Sequence, residues 1–465
     1  MREKPIAKVI WRGTPSAIFS KTGDASNKCE TVSQTNTQSP RPSPVSKWFK
    51  EFRKMFHLVE RRLKKFRKSY EKRRKQLTKN LSAAGGLLQR RELIVRRGSV
   101  LFIGYAEAAL GLGEVFRNML TALDAAGMPF AIYPFNKDVE TRHVGPFLES
   151  RYDRHGVYDI NVALMATDQL PYYFSELQKQ VKGGRHNILQ TYWELEEAPL
   201  AWRPLLEGID ELWVPNSYVA KAFLPIFDRK ITVVPACINV NSKHRYARKY
   251  FDMDDDRFYF IASFDYYSKT ARKNPLGVAI AFGYAFTDPE TKVGLLIKSA
   301  GPGELDPTVS QQLKNLSAID KRIITLSRSV GRDEMLSLID DCDCYVSLHR
   351  AEGFGLGMAE ALALGKPVIA TDYSGNRDFL TESTGFPVPF SLRKLMPGEY
   401  PTGEGQSWAE PDLEVAIRHM RTVFADRGER EGRCSRGKQY IEDHYSGRVV
   451  AKVVMDRLDE IRKSL

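Results

Sequence analysis

The sequence predicts two parallel α/β domains of the doubly wound type, preceded by a basic helical extension. From Val100 onward, short apolar runs alternate with helical stretches, which is the pattern of parallel βα units. This series begins again at Phe258, and because one open sheet rarely exceeds about ten strands, two sheets are expected. The third observation is the positive charge, which is concentrated in the first 97 residues.

The extension carries all of the excess positive charge. The net charge is +13, and residues 1–97 contain 26 Lys/Arg and 7 Asp/Glu, so the other 368 residues carry a net charge of −6. Residues 1–46 are rich in Ser, Thr, Asn and Pro and are predicted to be disordered, because they cannot bury enough surface to offset the entropy of ordering. The apolar fraction of 42% is ordinary, so most of the chain is expected to fold.

Residues 47–97 form a basic amphipathic segment, with a helix predicted over 47–80. This helix contains 15 Lys/Arg and 3 Asp/Glu. Its apolar residues are spaced by three and four and share one face: Phe52, Phe56, Val59, Leu63, Phe66 and Tyr70. Binding to an anionic membrane surface explains both the charge and the aromatic face and is favoured. A coiled-coil seam and a nucleic-acid-binding arm are the alternatives.

The first α/β domain is expected over residues 98–245 and the second over 246–425, followed by closing helices over 426–465. Helices are predicted at 112–126, 276–286, 332–339 and 356–364. Strands are predicted at 100–104, 130–133, 162–165, 187–190, 211–214, 231–234, 258–263, 293–297, 323–326, 344–348 and 367–370.

The composition argues against several classes of protein. The sequence has no apolar run of transmembrane length, and its N-terminus lacks the apolar stretch and cleavage site of a secretory signal. The five cysteines lack metal-ligand spacing, which favours a reducing compartment. A cytoplasmic protein is therefore expected.

The most informative segment is the run from Leu348 to Glu360. A buried strand leads into a turn with glycines at 353, 355 and 357, and then into a helix. Such a turn offers N–H groups at a helix N-terminus, which favours an anion. Glu352 and Glu360 are suited to hydroxyl-rich ligands, because a carboxylate accepts several hydrogen bonds. A strand–turn–helix joint whose glycines serve only packing is the alternative.

The spacing of Glu352 and Glu360 matches the E-x7-E motif of retaining GT-B glycosyltransferases, and the surrounding run resembles glycosyltransferase family 4. The resemblance covers roughly residues 98–460 and leaves out the extension. It also rests on the glycine-rich run 104–114, on Arg272-Lys273-Asn274-Pro275, and on Tyr192-Trp193-Glu194, Trp213-Val214-Pro215-Asn216-Ser217 and Trp408-Ala409-Glu410-Pro411, which are similar to the bacterial polysaccharide branch.

The resemblance implies a role for each matching residue. Glu360 would hold the ribose hydroxyls of the donor, and Glu352 would lie beside the transferred sugar. Arg272 and Lys273 would neutralise the departing diphosphate, although the family spaces this pair further apart, so Lys269 is a second candidate. The remaining donor-binding candidates are Gly353, Phe354, Gly355 and Leu356, with His349 as support.

The acceptor side is predicted around Gly111, Gly113 and Glu194. Gly111 and Gly113 would bring the first-domain loop close to the phosphate or acceptor, although a plain tight turn is the alternative. The run lacks the third glycine and distal acid of a dinucleotide fingerprint, which argues against an NAD enzyme. Glu194 and Glu197 lie after a predicted strand and are candidates for orienting the acceptor, although a role as solvated loop acids is favoured. His186 precedes the same strand, where a packing role is favoured.

No metal or cofactor is expected. Asp254-Asp255-Asp256 and the pair Asp341/Asp343 have D-x-D spacing, but both fall where solvated acids are common. Retaining members of the resembling family are thought to use front-face substitution, in which the donor phosphate accepts the acceptor's proton. Such a reaction needs no pair of catalytic carboxylates, unlike glycoside hydrolysis.

The sequence therefore predicts a GT-B enzyme that transfers a hexose-type sugar, with retention, from a nucleotide-diphosphate sugar to a glycan or lipid-linked acceptor in surface polysaccharide synthesis. It is expected at the cytoplasmic face of the inner membrane, and an oligomer is compatible with the sequence. Two alternatives stay open: a nucleic-acid-binding protein with a degenerate transferase body, and a GT-B enzyme that modifies DNA. Nucleic acid is the less favoured partner.

Overall fold

The computed structural model describes residues 95–137, 143–183 and 186–465, which lie in one compact unit, Glu92–Leu465. The segment predicted to be disordered and the basic helix predicted over 47–80 lie outside the described residues. Within the described part of the chain, none of the helices combines the length and the apolar character needed to cross a membrane.

The first sheet has six parallel strands in the order β2-β1-β3-β4-β5-β6. All eight residues of β3 are buried, as expected for a parallel strand covered by helices on both faces. The strands are β1 (Val95–Gly104), β2 (Ala131–Pro134), β3 (Val157–Leu164), β4 (His186–Gln190), β5 (Glu211–Val214) and β6 (Lys230–Val233). The helices are α1 (Gly111–Ala125), α2 (Leu170–Glu176), α3 (Gln178–Gly183) and α4 (Ser217–Phe223).

The second sheet repeats this architecture in the order β12-β11-β10-β7-β8-β9, again with parallel strands. The strands are β7 (Phe258–Asp265), β8 (Val293–Ala300), β9 (Ile323–Ser327), β10 (Cys344–Ser347), β11 (Val368–Thr371) and β12 (Phe386–Val388). The helices are α5 (Thr270–Lys273), α6 (Pro275–Ala285), α7 (Pro307–Ile319), α8 (Arg332–Asp341) and α9 (Leu356–Ala363).

An antiparallel hairpin follows the second sheet. It consists of β13 (Phe390–Lys394) and β14 (Ser407–Pro411). Trp408 on β14 is fully buried, and the guanidinium groups of Arg350 and Arg393 lie 5.9 and 5.3 Å from the centroid of its ring. The hairpin therefore packs onto the segment that leads into the glycine-rich turn.

Three helices end the chain: α10 (Leu413–Ala425), α11 (Arg427–Tyr445) and α12 (Gly447–Ser464). The side chains of Asp412 and Asp426 accept hydrogen bonds from backbone N–H groups in the first turn of α10 and α11, respectively. These N-terminal caps fix where the two helices begin. Helix α12 packs against α1, so the end of the chain returns to the first domain. Its buried residues follow helical spacing: Val450, Val454, Leu458 and Ile461.

The prediction of two parallel α/β domains is confirmed, and the predicted strand boundaries mostly agree to within a few residues. The largest differences are at β1, which begins at Val95 with a register shift between Arg96 and Val100, and at β3, which begins at Val157. Arg96 and Arg97 resemble the basic extension, so apolar patterning does not assign them to a strand. Several further elements lie outside the predicted ones: strand β12, helices α2, α3, α4, α5 and α7, and the hairpin.

One buried ion pair joins α12 to the first sheet. Glu211 is 1% exposed and accepts hydrogen bonds from Arg457 at 2.9 and 2.6 Å, and from Trp213 and Thr232. Burial alone would raise the pKa of Glu211, but hydrogen bonds from His186, Arg457 and Thr232 lower it to about 2. The carboxylate therefore stays charged and depends on Arg457 for compensation.

We expect Arg457→Met to destabilise the protein by about 3–5 kcal/mol at pH 7, because it leaves a buried carboxylate without its cation. The folded pKa of Glu211 lies below the unfolded value of about 4.3, so its contribution is complete above that value and is lost as the pH falls towards 2. The difference between variant and wild type should therefore shrink near pH 3. Urea denaturation at both pH values measures it.

Lys452→Met is the matched control on the same helix. Lys452 pairs with Asp456 at 2.6 Å, and both side chains are exposed. The free energy of unfolding should change by less than about 1 kcal/mol. Equal losses in the two variants would contradict a special role for the Glu211–Arg457 pair.

Candidate functional site

The candidate site lies at the carboxyl edge of the second sheet, where ligands usually bind in open parallel sheets. The turn between β10 and α9 brings Glu352 and the glycines to this edge. Gly355 has φ of 96°, a left-handed conformation that glycine adopts without strain, and α9 begins at the next residue. A Cβ on Gly375 would lie 2.2 Å from the carbonyl oxygen of Gly353, so the two loops are in close contact.

Glu352 forms the centre of a buried charge cluster. It is 7% exposed, and its carboxylate lies 3.1 Å from Nη1 of Arg272 and also accepts a hydrogen bond from Nζ of Lys273. Burial alone would raise the pKa of Glu352, but Lys273 and Arg272 lower it to about 2. The structure thus brings together the three residues predicted to be catalytic, with the carboxylate ionised.

Contacts with backbone carbonyls hold the segment that carries the two cations. The Arg272 guanidinium donates from Nη1 to the carbonyl of Ala351 at 2.8 Å and from Nε to that of Ser268 at 3.3 Å. Asn274, in the left-handed region at φ 52°, donates to the carbonyl of Leu348 at 2.9 Å. Among the described residues, no hydrogen bond or ion pair connects the second candidate, Lys269, with Glu352.

Glu360 lies in a second, separate charge cluster. It is 3% exposed and accepts a hydrogen bond from Nη1 of Arg332 at 2.6 Å. The same guanidinium lies 3.0 Å from Oε1 of Glu114, on α1 of the first domain. Neither Arg332 nor Glu114 was singled out from the sequence. Arg332 is the first residue of α8, the helix that follows β9. This position, near the carboxyl edge of the second sheet, is the signal that could have singled it out.

The other donor-site candidates shape the turn. Phe354 is buried against Phe379 and Tyr445, so only its backbone is available to a ligand. Leu356 is the first residue of α9. His349 is fully buried, close to Ser347, Tyr373 and Asn376 through its ring nitrogens, and burial lowers its pKa. A neutral His349 is therefore a hydrogen-bonding support beneath the turn.

The first domain approaches this turn directly. Nδ2 of Asn216 donates to the carbonyls of Gly353 at 2.7 Å and Gly375 at 3.3 Å. A Cβ on Gly353 would lie 3.1 Å from the carbonyl oxygen of Trp193. Gly353 thus forms part of the contact between the two domains.

Glu194 connects three parts of the structure. Its Oε2 accepts a hydrogen bond from Tyr400 at 2.7 Å, and its Oε1 lies 3.7 Å from Nη2 of Arg272. Tyr400 lies in the loop that connects the two strands of the hairpin, and its ring packs edge-on against Trp193. Glu194 therefore lies beside the Glu352 cluster. In contrast, Glu197 contacts Gln406, and His186 pairs with Glu211.

The two glycines of the first-domain loop have different surroundings. A Cβ on Gly113 would lie 2.4 Å from the carbonyl oxygen of Ala108 and 2.8 Å from that of Tyr105. A Cβ on Gly111 would meet nothing within 4 Å. Gly113 is therefore required by packing at the start of α1, whereas no packing contact requires a glycine at 111.

The two acidic clusters are occupied by basic side chains. Asp254 pairs with Arg257 and Asp256 with Lys292, each at 2.6 Å. Asp341 and Asp343 pair with Arg245 and Arg248, at 3.1 and 2.9 Å. Within the described ranges, no group of three or more His, Cys, Asp or Glu is arranged to hold a metal ion.

A cavity of about 660 Å³ borders the Glu360 cluster, because its lining includes Asn239, whose carbonyl accepts a hydrogen bond from Arg332. It is enclosed by α1, the connection near Asn239 and the last two helices, and it contains none of the predicted site residues.

Comparisons with known proteins agree with this architecture. Residues 289–391 match the family described as Glycosyl transferases group 1, a range that includes Arg332, Glu352 and Glu360. A glycosyltransferase from Rickettsia africae has 14% identity and a TM-score of 0.57, over 80% of this chain and 100% of that chain. The fold is GT-B. A search of curated proteins by sequence gave no match.

Two further GT-B structures are similar over the same region. Sucrose-phosphate synthase from Thermosynechococcus elongatus has 15% identity and a TM-score of 0.56, over 80% of this chain and 100% of that chain. HepE from Anabaena, crystallised with UDP and glucose, has 12% identity and a TM-score of 0.54, over 78% and 99%. The family match and the GT-B fold together support a glycosyltransferase.

The different surroundings of Gly111 and Gly113 can be tested by substitution. We expect Gly113→Ala to destabilise the GT-B fold by about 1–3 kcal/mol, because its Cβ would overlap two backbone carbonyls. Gly111→Ala should change the free energy of unfolding by less than about 0.5 kcal/mol. Urea denaturation of both variants measures the difference, and equal effects would refute the packing role of Gly113.

Proposed function

We propose that the chain is a retaining GT-B glycosyltransferase. In this proposal it moves a hexose-type sugar from a nucleotide-diphosphate sugar to a glycan or lipid-linked acceptor in surface polysaccharide synthesis. The observation that carries the proposal is the buried cluster of Glu352, Arg272 and Lys273 at the carboxyl edge of the second sheet. The position of Glu360, about one helical turn into α9, supports it.

The two cations are suited to a leaving diphosphate. When the bond between the sugar and the diphosphate breaks, its electron pair goes to the phosphate oxygen, and fixed positive charges stabilise it. The N–H groups of Arg272 already donate to the carbonyls of Ser268 and Ala351 and lie close to the carboxylates of Glu352 and Glu194. The Arg272 side chain is 4% exposed. Lys273 is 22% exposed and has three N–H donors. In the proposal, Lys273 contacts the phosphate and Arg272 acts through its charge.

The acids have separate tasks in the proposed reaction. Glu352, held by both cations, lies beside the transferred sugar and stabilises positive charge that develops on the ring. The acceptor hydroxyl attacks from the face that the diphosphate leaves, and its proton passes to the departing phosphate oxygen. The configuration at the anomeric carbon is therefore retained. The cations that stabilise the leaving group are Arg272 and Lys273. Glu194 and Tyr400 lie next to Arg272, where an acceptor would approach across the domain contact.

A thermal-shift screen of nucleotide sugars tests the proposal directly. A ligand at 100 times its dissociation constant stabilises the folded protein by about 2.7 kcal/mol, so a true donor raises Tm. UDP-glucose, which was crystallised with HepE, is a rational first compound. Stabilisation by no nucleotide sugar would contradict the proposal.

We expect Glu360→Ala to lower the transfer rate by at least about 10–100-fold at limiting donor, because hydrogen bonds to a charged group contribute about 1.5–3 kcal/mol. The loss should appear mainly in KM for the donor. Exposed Glu382 is the matched control, and Glu382→Ala should leave both constants unchanged. An unchanged KM for the donor in Glu360→Ala, with the fold intact by circular dichroism, would refute the assignment of Glu360.

We also propose that residues 47–80 attach the enzyme to an anionic membrane surface, which would bring it to a lipid-linked acceptor. The proposal rests on the sequence, in which basic residues surround an aromatic face, at about 1 kcal/mol for each basic residue near the surface. We expect Arg61, Arg62, Lys64 and Lys65 replaced together by Gln in the full chain to reduce sedimentation with phosphatidylserine vesicles.

The control for this experiment replaces Lys4, Lys8, Arg12 and Lys21 by Gln, which removes the same charge from the segment outside the predicted helix. A gel-shift assay with DNA and RNA at several salt concentrations is run beside it. Strong, salt-sensitive nucleic-acid binding without vesicle binding would favour the nucleic-acid alternatives instead.

A further inference from the structure

Arg332 contacts three different parts of the molecule. Its Nη1 donates to Oε1 of Glu360 at 2.6 Å, its Nη2 donates to the carbonyl of Asn239 at 2.7 Å, and its Nε lies 3.0 Å from Oε1 of Glu114. Glu360 belongs to the second domain, Glu114 to the first, and Asn239 to the segment that connects their sheets. A single guanidinium therefore bridges both domains and their connection.

The geometry of these contacts needs arginine. The guanidinium is a planar group whose N–H donors point in several fixed directions, so three acceptors on different elements can be bound at once. Lysine would place one compact charge at the centre and could not keep all three distances. The side chain of Arg332 is 27% exposed, whereas those of Glu360 and Glu114 are 4% and 14% exposed. The arginine is therefore partly open to solvent, and the two carboxylates that it contacts are more deeply buried.

The charges around the bridge are balanced. Glu114 also accepts a hydrogen bond from Arg117 at 2.8 Å, so two carboxylates and two guanidinium groups alternate along the contact. Burial raises the pKa of Glu360 and Arg332 opposes this effect. Without Arg332, Glu360 would be a buried carboxyl group lacking its cation, and its charged, hydrogen-bond-accepting form would be disfavoured.

We propose that Arg332 is a positioning residue that holds Glu360 ready for the donor ribose and couples donor binding to contact between the two domains. This inference rests on the proposed function, in which Glu360 accepts hydrogen bonds from the ribose hydroxyls. Arg332 uses one oxygen of Glu360, fixes the carboxylate orientation and connects it to α1 through Glu114. Because coupling between two equilibria is reciprocal, a bound donor strengthens the contact between Arg332 and Glu114.

The inference is tested with UDP and UDP-glucose as probes, measured by calorimetry and by steady-state transfer. We expect Arg332→Gln to weaken binding of both probes at least about tenfold, as loss of a charge-assisted contact to Glu360 implies. The loss should appear in KM for the donor rather than in kcat. Arg332→Lys should lie between Gln and wild type, because it keeps the charge and loses the bridge. The Tm of each variant without ligand confirms that it is folded.

A double-mutant cycle tests the coupling to the first domain. Glu114→Gln alone should weaken UDP binding by a smaller factor than Arg332→Gln, and should have no further effect when Arg332 is already Gln. Arg328→Ala is the matched control, since this partly exposed arginine in the loop before α8 pairs with Glu334 at 2.6 Å and should bind UDP normally.

The outcomes separate the two proposals. Wild-type protein that binds no nucleotide sugar overturns the proposed function and this inference together. Wild-type protein that binds UDP or UDP-glucose, with Arg332→Gln unchanged in affinity, overturns only the role of Arg332. Additive effects of Glu114→Gln and Arg332→Gln overturn the coupling between the domains.

Discussion

The ionised carboxylate of Glu352, buried between Arg272 and Lys273, is the constraint on which the rest of the site depends. Moving an ion out of water costs several kcal/mol, so a buried carboxylate needs close cations, and the cations need their other donors satisfied. The chain meets this requirement with backbone carbonyls at Ser268 and Ala351. The loop after β7 and the turn after β10 are therefore fixed against each other, and any ligand at this edge meets a preorganised set of charges.

A second consequence concerns the two domains. Both charge clusters include an acid from the first domain: Glu194 lies beside Arg272, and Glu114 pairs with Arg332. Asn216 adds two hydrogen bonds to the glycine-rich loops. Separating the domains would break these contacts and leave the charges of the second domain partly uncompensated. Charge compensation thus links the geometry of the candidate site to the position of the first domain.

The sequence predicts well what is local and poorly what depends on partners brought together by folding. Apolar alternation gave both sheets, and the spacing of Glu352 and Glu360 placed both on the β10–α9 unit, because strand and helix periods are local properties. Arg332, Glu114 and Tyr400 have no such local signal, since each acquires its importance from a partner distant in sequence. Gly111 and Gly113 look equivalent in sequence, and only the surrounding carbonyls distinguish them.

Within the proposed function, the distribution of charge matches one cluster to the leaving group and the other to the nucleoside. Arg272 and Lys273 both contact Glu352, and the second acid, Glu194, lies at the longer distance of 3.7 Å from Arg272. Positive charge therefore predominates near Lys273, the more exposed of the two cations. A diphosphate is favoured there. Around Glu360, Arg332 contacts one carboxylate oxygen and is itself shared with Glu114, so its positive charge is already paired. Hydroxyl groups are favoured there, because they donate to carboxylates without bringing further negative charge. Within the proposed function, a nucleotide sugar can satisfy both clusters at once only in one orientation, with ribose at Glu360 and the breaking bond beside Lys273.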